Sequence, residues 1–216
     1  MENTFRYARF DTFRRFLGPF SQKMRSARMR RLESALRLEP DMRILDLGGQ
    51  PDIWNHVETP LNITILNLPG VAAPAPAASK HQFAFVEGDA CNVSSCADNS
   101  FEVVFSNSVI EHVGDEAKQQ AFASEVRRLA AKYWVQTPSI WFPIEAHTGM
   151  PFWFFMPEAL RNRFIRDWEK KLPDWTEMVK GTTVLSKRQM QDYFPDGEIL
   201  TERKFGFPKS YIVYRA

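Results

Sequence analysis

Residues 42–51, Met42-Arg-Ile-Leu-Asp-Leu-Gly-Gly-Gln-Pro51, constrain this chain more than any other stretch. A short apolar run ends in an acid, two glycines and a proline suited to the first position of a helix. A buried parallel strand ends this way when it delivers a tight turn to a helix start. The two glycines lack a Cβ, so the backbone there can take φ > 0 and approach a ligand closely. Asp46 falls at the carboxyl end of the strand, where ligands bind in open α/β sheets. The stretch therefore predicts a nucleotide-like ligand on a sheet that this strand begins.

The chain after this strand reads as repeated strand, connection, strand. Asn62–Leu68 is β-branched and apolar, Gln82–Glu87 follows a Pro/Ala tract over residues 69–79, and Phe101–Ser106 follows the turn Asp98-Asn-Ser100. Asp115–Ala131 has helical spacing through Ala117, Phe122, Val126 and Leu129, and Lys132–Thr137 is a fifth strand stopped by Pro138. This order predicts a parallel sheet. Asp52–Val57 is at best a short helix, because Pro60 closes it off. The tail departs from the pattern. Pro157–Lys171 and Ser186–Phe194 read as helices, and Glu198–Phe205 and Tyr211–Tyr214 as two antiparallel strands joined by the turn Gly206-Phe-Pro208. In the aromatic run Phe152-Trp-Phe-Phe155, an extended backbone would send one alternating pair to a pocket and the other inward.

Residues 1–40 read as two helices broken at Gly18-Pro19, the first with Phe5, Phe10, Phe13, Phe16, Leu17 and Phe20 in one stripe. Ser21 can cap the second, which turns Met24, Ala27, Leu32, Ala35 and Leu36 to the core. Eight arginines precede position 32. They are read first as a solvated helix face, with contact to an anionic surface, substrate or partner as the alternative.

With 216 residues, the chain has the length of one larger domain and can bury a full core. We divide it into a helical arm (1–40), a cofactor-binding core (41–138), an aromatic acceptor-side segment (139–185) and a closing hairpin (186–216). A net charge of +2 is too small to imply nucleic acid, and none is expected. No transmembrane run or secretory h-region is visible. Cys91 and Cys96 are the only two cysteines; their C-x4-C spacing has no second pair, so they read as free thiols in a reducing cytoplasm.

Asp46-Leu-Gly-Gly49, Asn67, Gly88-Asp-Ala90 and Ser106-Asn-Ser-Val-Ile-Glu-His112 each follow a strand, so a parallel sheet brings them to one edge. Together these ordered motifs resemble those of class I S-adenosylmethionine (SAM) dependent methyltransferases of the type 11 kind. Ile44-Leu-Asp-Leu-Gly-Gly49 is similar to the family's glycine loop, and Asp98–Phe105 to the stretch feeding its fourth strand. Ser106–Val113 is the most specific piece, and Gln136-Thr-Pro138 with Phe142–His147 resembles a subset of the family. The resemblance implies an α/β, Rossmann-like, doubly wound seven-stranded sheet, mostly parallel with one antiparallel strand near the C-terminus, plus N-terminal helices. It implies a SAM-dependent methyltransferase acting on an O or N atom of a small-molecule, glycan or lipid-linked acceptor. Asp46, Gly48 and Gly49 would face the methionine part of SAM and Asn67 the ribose. Asp89 and Ala90 would face the adenine, and Asn107 would lie beneath the sulfonium.

His147, then His112, with Glu145, are the candidates for a base or acceptor-orienting group, because oxygen and nitrogen acceptors lose a proton on methylation. No spacing defines a ligand set among the His and Glu residues, so no metal is expected. Gln50 and Asn67 stand where the family usually has a second glycine and an acid. Each change would weaken cofactor binding by on the order of 1 kcal/mol. A methyltransferase-like binding or scaffold protein with an altered cofactor loop is the alternative.

Overall fold

The structure, a computed structural model, describes residues 22–71, 76, 78–145 and 147–216. The expected first helix of the arm and most of the Pro/Ala tract lie outside the described residues. Five strands run parallel: β1 (Arg43–Leu47), β2 (Asn62–Asn67), β3 (Gln82–Glu87), β4 (Val103–Asn107) and β5 (Lys132–Pro138). β6 (Glu198–Lys204) and β7 (Phe207–Arg215) complete a seven-stranded sheet of order β3-β2-β1-β4-β5-β7-β6. β7 is antiparallel to both of its neighbours, so it is the one reversed strand. The strand order reverses between β1 and β4, which opens a crevice at their carboxyl ends.

Strand alternation sorts the core into two layers. Ile44, Ile63, Ile65, Phe105, Trp134 and Ile212 point to one face, covered by Met29, Leu32 and Leu36 of α1 (residues 22–36) and by Trp54. Leu45, Leu47, Val104, Tyr133, Val135 and Val213 point to the other. There they meet Phe122, Val126 and Leu129 of α2 (Glu116–Leu129) and Met190 and Tyr193 of α5 (Lys187–Tyr193). Helices thus lie on both faces, as the doubly wound reading requires. Asp115 caps α2 by accepting from the Lys118 N–H, and Ser186 and Gln189 form a reciprocal capping box on α5.

The short helix expected after the glycine turn is present, and two other local expectations are corrected. The segment after the glycine turn is a six-residue 3₁₀ turn, Pro51–His56, whose Trp54 is fully buried edge-on to Phe105 at 4.9 Å. A second helix, α4 (Pro173–Lys180), follows α3 (Glu158–Glu169), where the sequence reading ended. The closing turn is Phe205-Gly206, with φ of 51° and 82°, rather than Gly206–Pro208. Pro208 sits inside β7 opposite Arg203, where the β6 register shifts and before β5 begins to pair at Ser210. A missing N–H is tolerated at such a bulge.

Candidate active site

The turn after β1 closes over its own acid. Gly48 takes φ 74°, and a Cβ there would lie 2.6 Å from the Val109 side chain in the loop after β4. A Cβ on Gly49 would lie 1.9 Å from the Asp46 carboxylate, so these two glycines let both loops meet above the strand. Asp46 is fully buried; Oδ2 accepts from Trp54 Nε1 at 2.8 Å, and Oδ1 has no partner among the described residues. Burial pushes its carboxyl up to about 7 against the pull of the Trp54 hydrogen bond. Asn67, at the end of β2, donates from Nδ2 to the Gly49 carbonyl at 3.1 Å and so ties the turn down.

Asp89 follows β3. Its Oδ1 accepts from the Cys91 N–H and Oδ2 from Lys118 Nζ, and these bonds hold its carboxyl below the usual range despite partial burial. Ala90 beside it is half-buried and packs against the α2-side core. Ser106 Oγ donates to the Leu47 carbonyl at 3.1 Å, which clamps the end of β4 to that of β1.

Asn107, at the end of β4, is engaged by a residue that sequence reading assigned to a solvated face. Arg28 of α1 is 7% exposed. Its Nη1 donates to Asn107 Oδ1 at 2.5 Å and to Gln136 Oε1 at 3.1 Å, while Nε and Nη2 grip the two Glu202 oxygens of β6 at 2.9 and 2.5 Å. Ser210 Oγ donates to the same Glu202 carboxylate. A signal was present: Arg28, Leu32 and Leu36 follow one another at four-residue spacing on the buried stripe of α1. Trp54 and Glu202 were missed as well: Glu202 meets Arg28 from 174 positions away, and Trp54 reaches Asp46 only because the short helix folds back over β1.

The structure brings Glu145, His147 and His112 together. His147 Nδ1 lies 2.7 Å from Glu145 Oε1, and His147 Nε2 lies 3.0 Å from His112 Nε2. His112 ends the 3₁₀ turn Ile110–His112 after β4, whereas Glu145 and His147 come from the loop after β5. Burial works against the Glu145 carboxylate, yet hydrogen bonds from the His147 ring and from the His147 and Thr148 backbone hold it down to about 2. Burial alone would lower His147, but the Glu145 carboxylate raises it above its ordinary value. Burial, then the neighbouring His147 charge, lowers His112 to about 4. Glu111 is fully buried; its Oε2 accepts from Thr137 Oγ1 at 3.0 Å, and burial pushes its carboxyl up to about 7.

The loop that carries Glu145 and His147 also contributes to an apolar groove of about 630 Å³, lined by Trp141, Pro143, Phe152, Phe155, Phe207 and Tyr211. The run 152–155 is not extended: Trp153–Phe155 is a 3₁₀ turn entered from Phe152 in the left-handed region at φ 54°. Its period of three sends Phe152 and Phe155 to the groove, and Trp153 inward against Trp168 at 5.2 Å.

Residues 63–132 match the family model described as a methyltransferase domain. No curated protein matches the chain. Solved structures do. A putative methyltransferase from an antibiotic biosynthesis pathway of Anabaena variabilis is 15% identical, over 81% of this chain and 63% of that one, with a TM-score of 0.51. A chain in the complex between the Haloferax volcanii Trm112 methyltransferase activator and the putative methyltransferase is 11% identical, over 89% and 87%, with a TM-score of 0.51. A putative sarcosine dimethylglycine methyltransferase from Galdieria sulphuraria is 12% identical, over 82% and 60%, with a TM-score of 0.50. At these identities the likeness is one of fold.

Proposed function

Since the chain carries a class I SAM-dependent methyltransferase domain, we propose that it transfers the methyl group of SAM to an O or N atom of an acceptor held beside the Glu145–His147–His112 cluster. The observation that supports this reading is the hydrogen-bonded series Glu145 Oε1, His147 Nδ1, His147 Nε2, His112 Nε2, with steps of 2.7 and 3.0 Å. Such a series can receive a proton from an acceptor O–H or N–H. SAM, when bound, supplies an activated methyl group; the acceptor lone pair forms the new bond to carbon while the C–S electron pair returns to sulfur. The chain's own part is alignment, exclusion of water and custody of the acceptor proton.

Several features fit the cofactor. The unpartnered Asp46 Oδ1 beneath the glycine turn suits the ammonium of the methionine part. Asp89 and Ala90, after β3, would face the adenine, and Asn67 and Asn107 end the strands on either side of β1. Residues 41–138 hold these groups and 139–185 supply the acceptor side. The groove rimmed by Trp141, Phe152 and Phe155 favours a small-molecule or lipid-linked acceptor with an apolar portion over a bare glycan. Unpaired Cys91 and Cys96 suit a reducing compartment such as the cytoplasm.

A second reading, binding without turnover, draws on the sealed Asp46 and on the Asn67 amide spent on the Gly49 carbonyl. A titration separates the two. On the first reading, SAM and S-adenosylhomocysteine raise the melting temperature, by the equivalent of about 2.7 kcal/mol at a hundred times the Kd. Absence of any shift at millimolar ligand leaves the scaffold reading. With labelled SAM and hydroxyl- or amine-bearing aromatic acceptors, His147→Ala should then lower turnover by about 10²–10⁴-fold with cofactor affinity unchanged.

A further inference from the structure

The hydrogen bonds around the two histidines determine which ring nitrogens carry protons. Thr182 Oγ1 spends its single proton on the Met178 carbonyl at 2.8 Å. His112 Nδ1, 3.3 Å from that oxygen, therefore meets it as a donor. His147 Nδ1 donates to Glu145 Oε1 at 2.7 Å, since a carboxylate can only accept. Both outer nitrogens being N–H, the two neutral rings present lone pairs at Nε2, and these face each other at 3.0 Å. Glu111 Oε1 adds a third acceptor, in a fully buried side chain and with no partner among the described residues. Three acceptors converge, and among the described residues no donor reaches Glu111 Oε1. A water has two protons to donate, so a cation is the occupant that engages all three acceptors at once.

We propose that Glu111, His112 and His147 form a binding site for a divalent first-row transition ion, held by Glu111 Oε1, His112 Nε2 and His147 Nε2. Their ligand atoms all lie within 4.8 Å of one another. Metal–nitrogen bonds of about 2.0–2.1 Å at tetrahedral or octahedral angles separate two nitrogens by roughly 2.9–3.4 Å, and the histidine pair already stands at 3.0 Å. The outer shell has the expected form. His147 gives its other N–H to Glu145, whose carboxylate is in turn held by the His147 and Thr148 backbone N–H groups. His112 gives its own to Thr182. Such partners orient the rings and raise their basicity. Two imidazoles and one carboxylate suit zinc, iron, cobalt or manganese better than the all-oxygen preference of magnesium or calcium.

Three protein ligands leave open positions on such an ion. On the methyl-transfer reading above, which this role for the ion rests on, an acceptor oxygen would take one of them. The ion would then replace the histidine pair as the group that makes that oxygen nucleophilic, and the acceptor proton would pass to solvent.

The test is metal binding itself, on the full chain stripped with a chelator and then titrated with Co²⁺ read by its visible absorption, followed by displacement with Zn²⁺. The expected result is saturation at one equivalent at micromolar metal. His112→Gln and His147→Gln should weaken binding by at least the 10–100-fold expected of the outer-shell change Glu145→Gln. Replacing both Cys91 and Cys96 by Ser should change nothing. No stoichiometric Co²⁺ uptake by the unmutated chain, or full uptake by both histidine variants, overturns the proposal. S-adenosylhomocysteine binding is measured in parallel by calorimetry. Metal uptake without it removes the methyltransferase reading and leaves the site, whereas homocysteine-ligand binding without metal uptake removes the site alone.

Discussion

Asp46 is fully buried, with one oxygen on Trp54 and the other without a partner, and its carboxyl sits at about 7. The raised value makes the folded chain the better proton binder between the ordinary carboxylate range and pH 7. Stability from this group is therefore complete below about pH 4 and is lost as pH rises through 7. Asp46→Asn keeps an acceptor for Trp54 and should flatten that loss, so the variant should melt higher than the parent at pH 8 and no higher at pH 4. A bound ammonium would favour the ionised form. SAM affinity should thus rise roughly tenfold from pH 6 to pH 8 in the parent chain and stay level in Asp46→Asn, as calorimetry at the two pH values would read. Tighter binding at pH 6 would separate Asp46 from the ammonium.

At the scale of elements, α1 packs on the sheet through Met29, Leu32 and Leu36, and one polar side chain ties it to three strands. Arg28 bonds to β4, β5 and β6 at once, and burial of Glu202 is outweighed by Arg28, which holds that carboxyl below its ordinary value. Arg28→Ala takes the ion-pair partner from a largely buried Glu202 carboxylate that keeps the Ser210 hydroxyl, and should cost up to about 3 kcal/mol in urea unfolding. Adding Glu202→Leu to it should recover much of that loss; no recovery would mean that Asn107 and Gln136 carry the effect. Glu202's contribution in the parent chain is complete above the ordinary glutamate pKa and is lost as pH falls below it. The β6–β7 hairpin offers a gain instead. Phe205 adopts φ 51° in a two-residue turn, a region where asparagine is at ease and aromatics are strained. Phe205→Asn should stabilise the chain by roughly 0.5–1 kcal/mol, visible as a higher urea midpoint with an unchanged slope.

For the molecule as a whole, the unequal cover of the sheet is the consequential feature. α1 and Trp54 cover the central strands on one face, but at the β3 edge Phe85 and Val86 are 42% and 40% exposed. Leu68 and Val71 nearby are also exposed. An apolar edge strand pairs readily with other chains. Val86→Lys should lower light scattering at high concentration while shifting the unfolding midpoint by no more than about 0.5 kcal/mol. Unchanged scattering would locate self-association elsewhere. No helix among the described residues is long and apolar enough to cross a membrane.

The sequence by itself determined the strands, their order of motifs and the edge on which Asp46, Asn67, Asp89 and Asn107 gather. Apolar periodicity and glycine placement are local properties, and parallel strands bring successive carboxyl ends to one side. It also named Glu145, His147 and His112, though not that they touch. Only the tertiary structure decided which polar groups became each other's partners. Asp46 met Trp54 across a 3₁₀ turn, Asn107 met Arg28 across 79 positions, and His112 met His147 across 35. Such pairings depend on how far each loop folds back over the sheet. They are settled by the requirement that every buried polar atom find a donor, an acceptor or an ion, and no local pattern encodes that requirement.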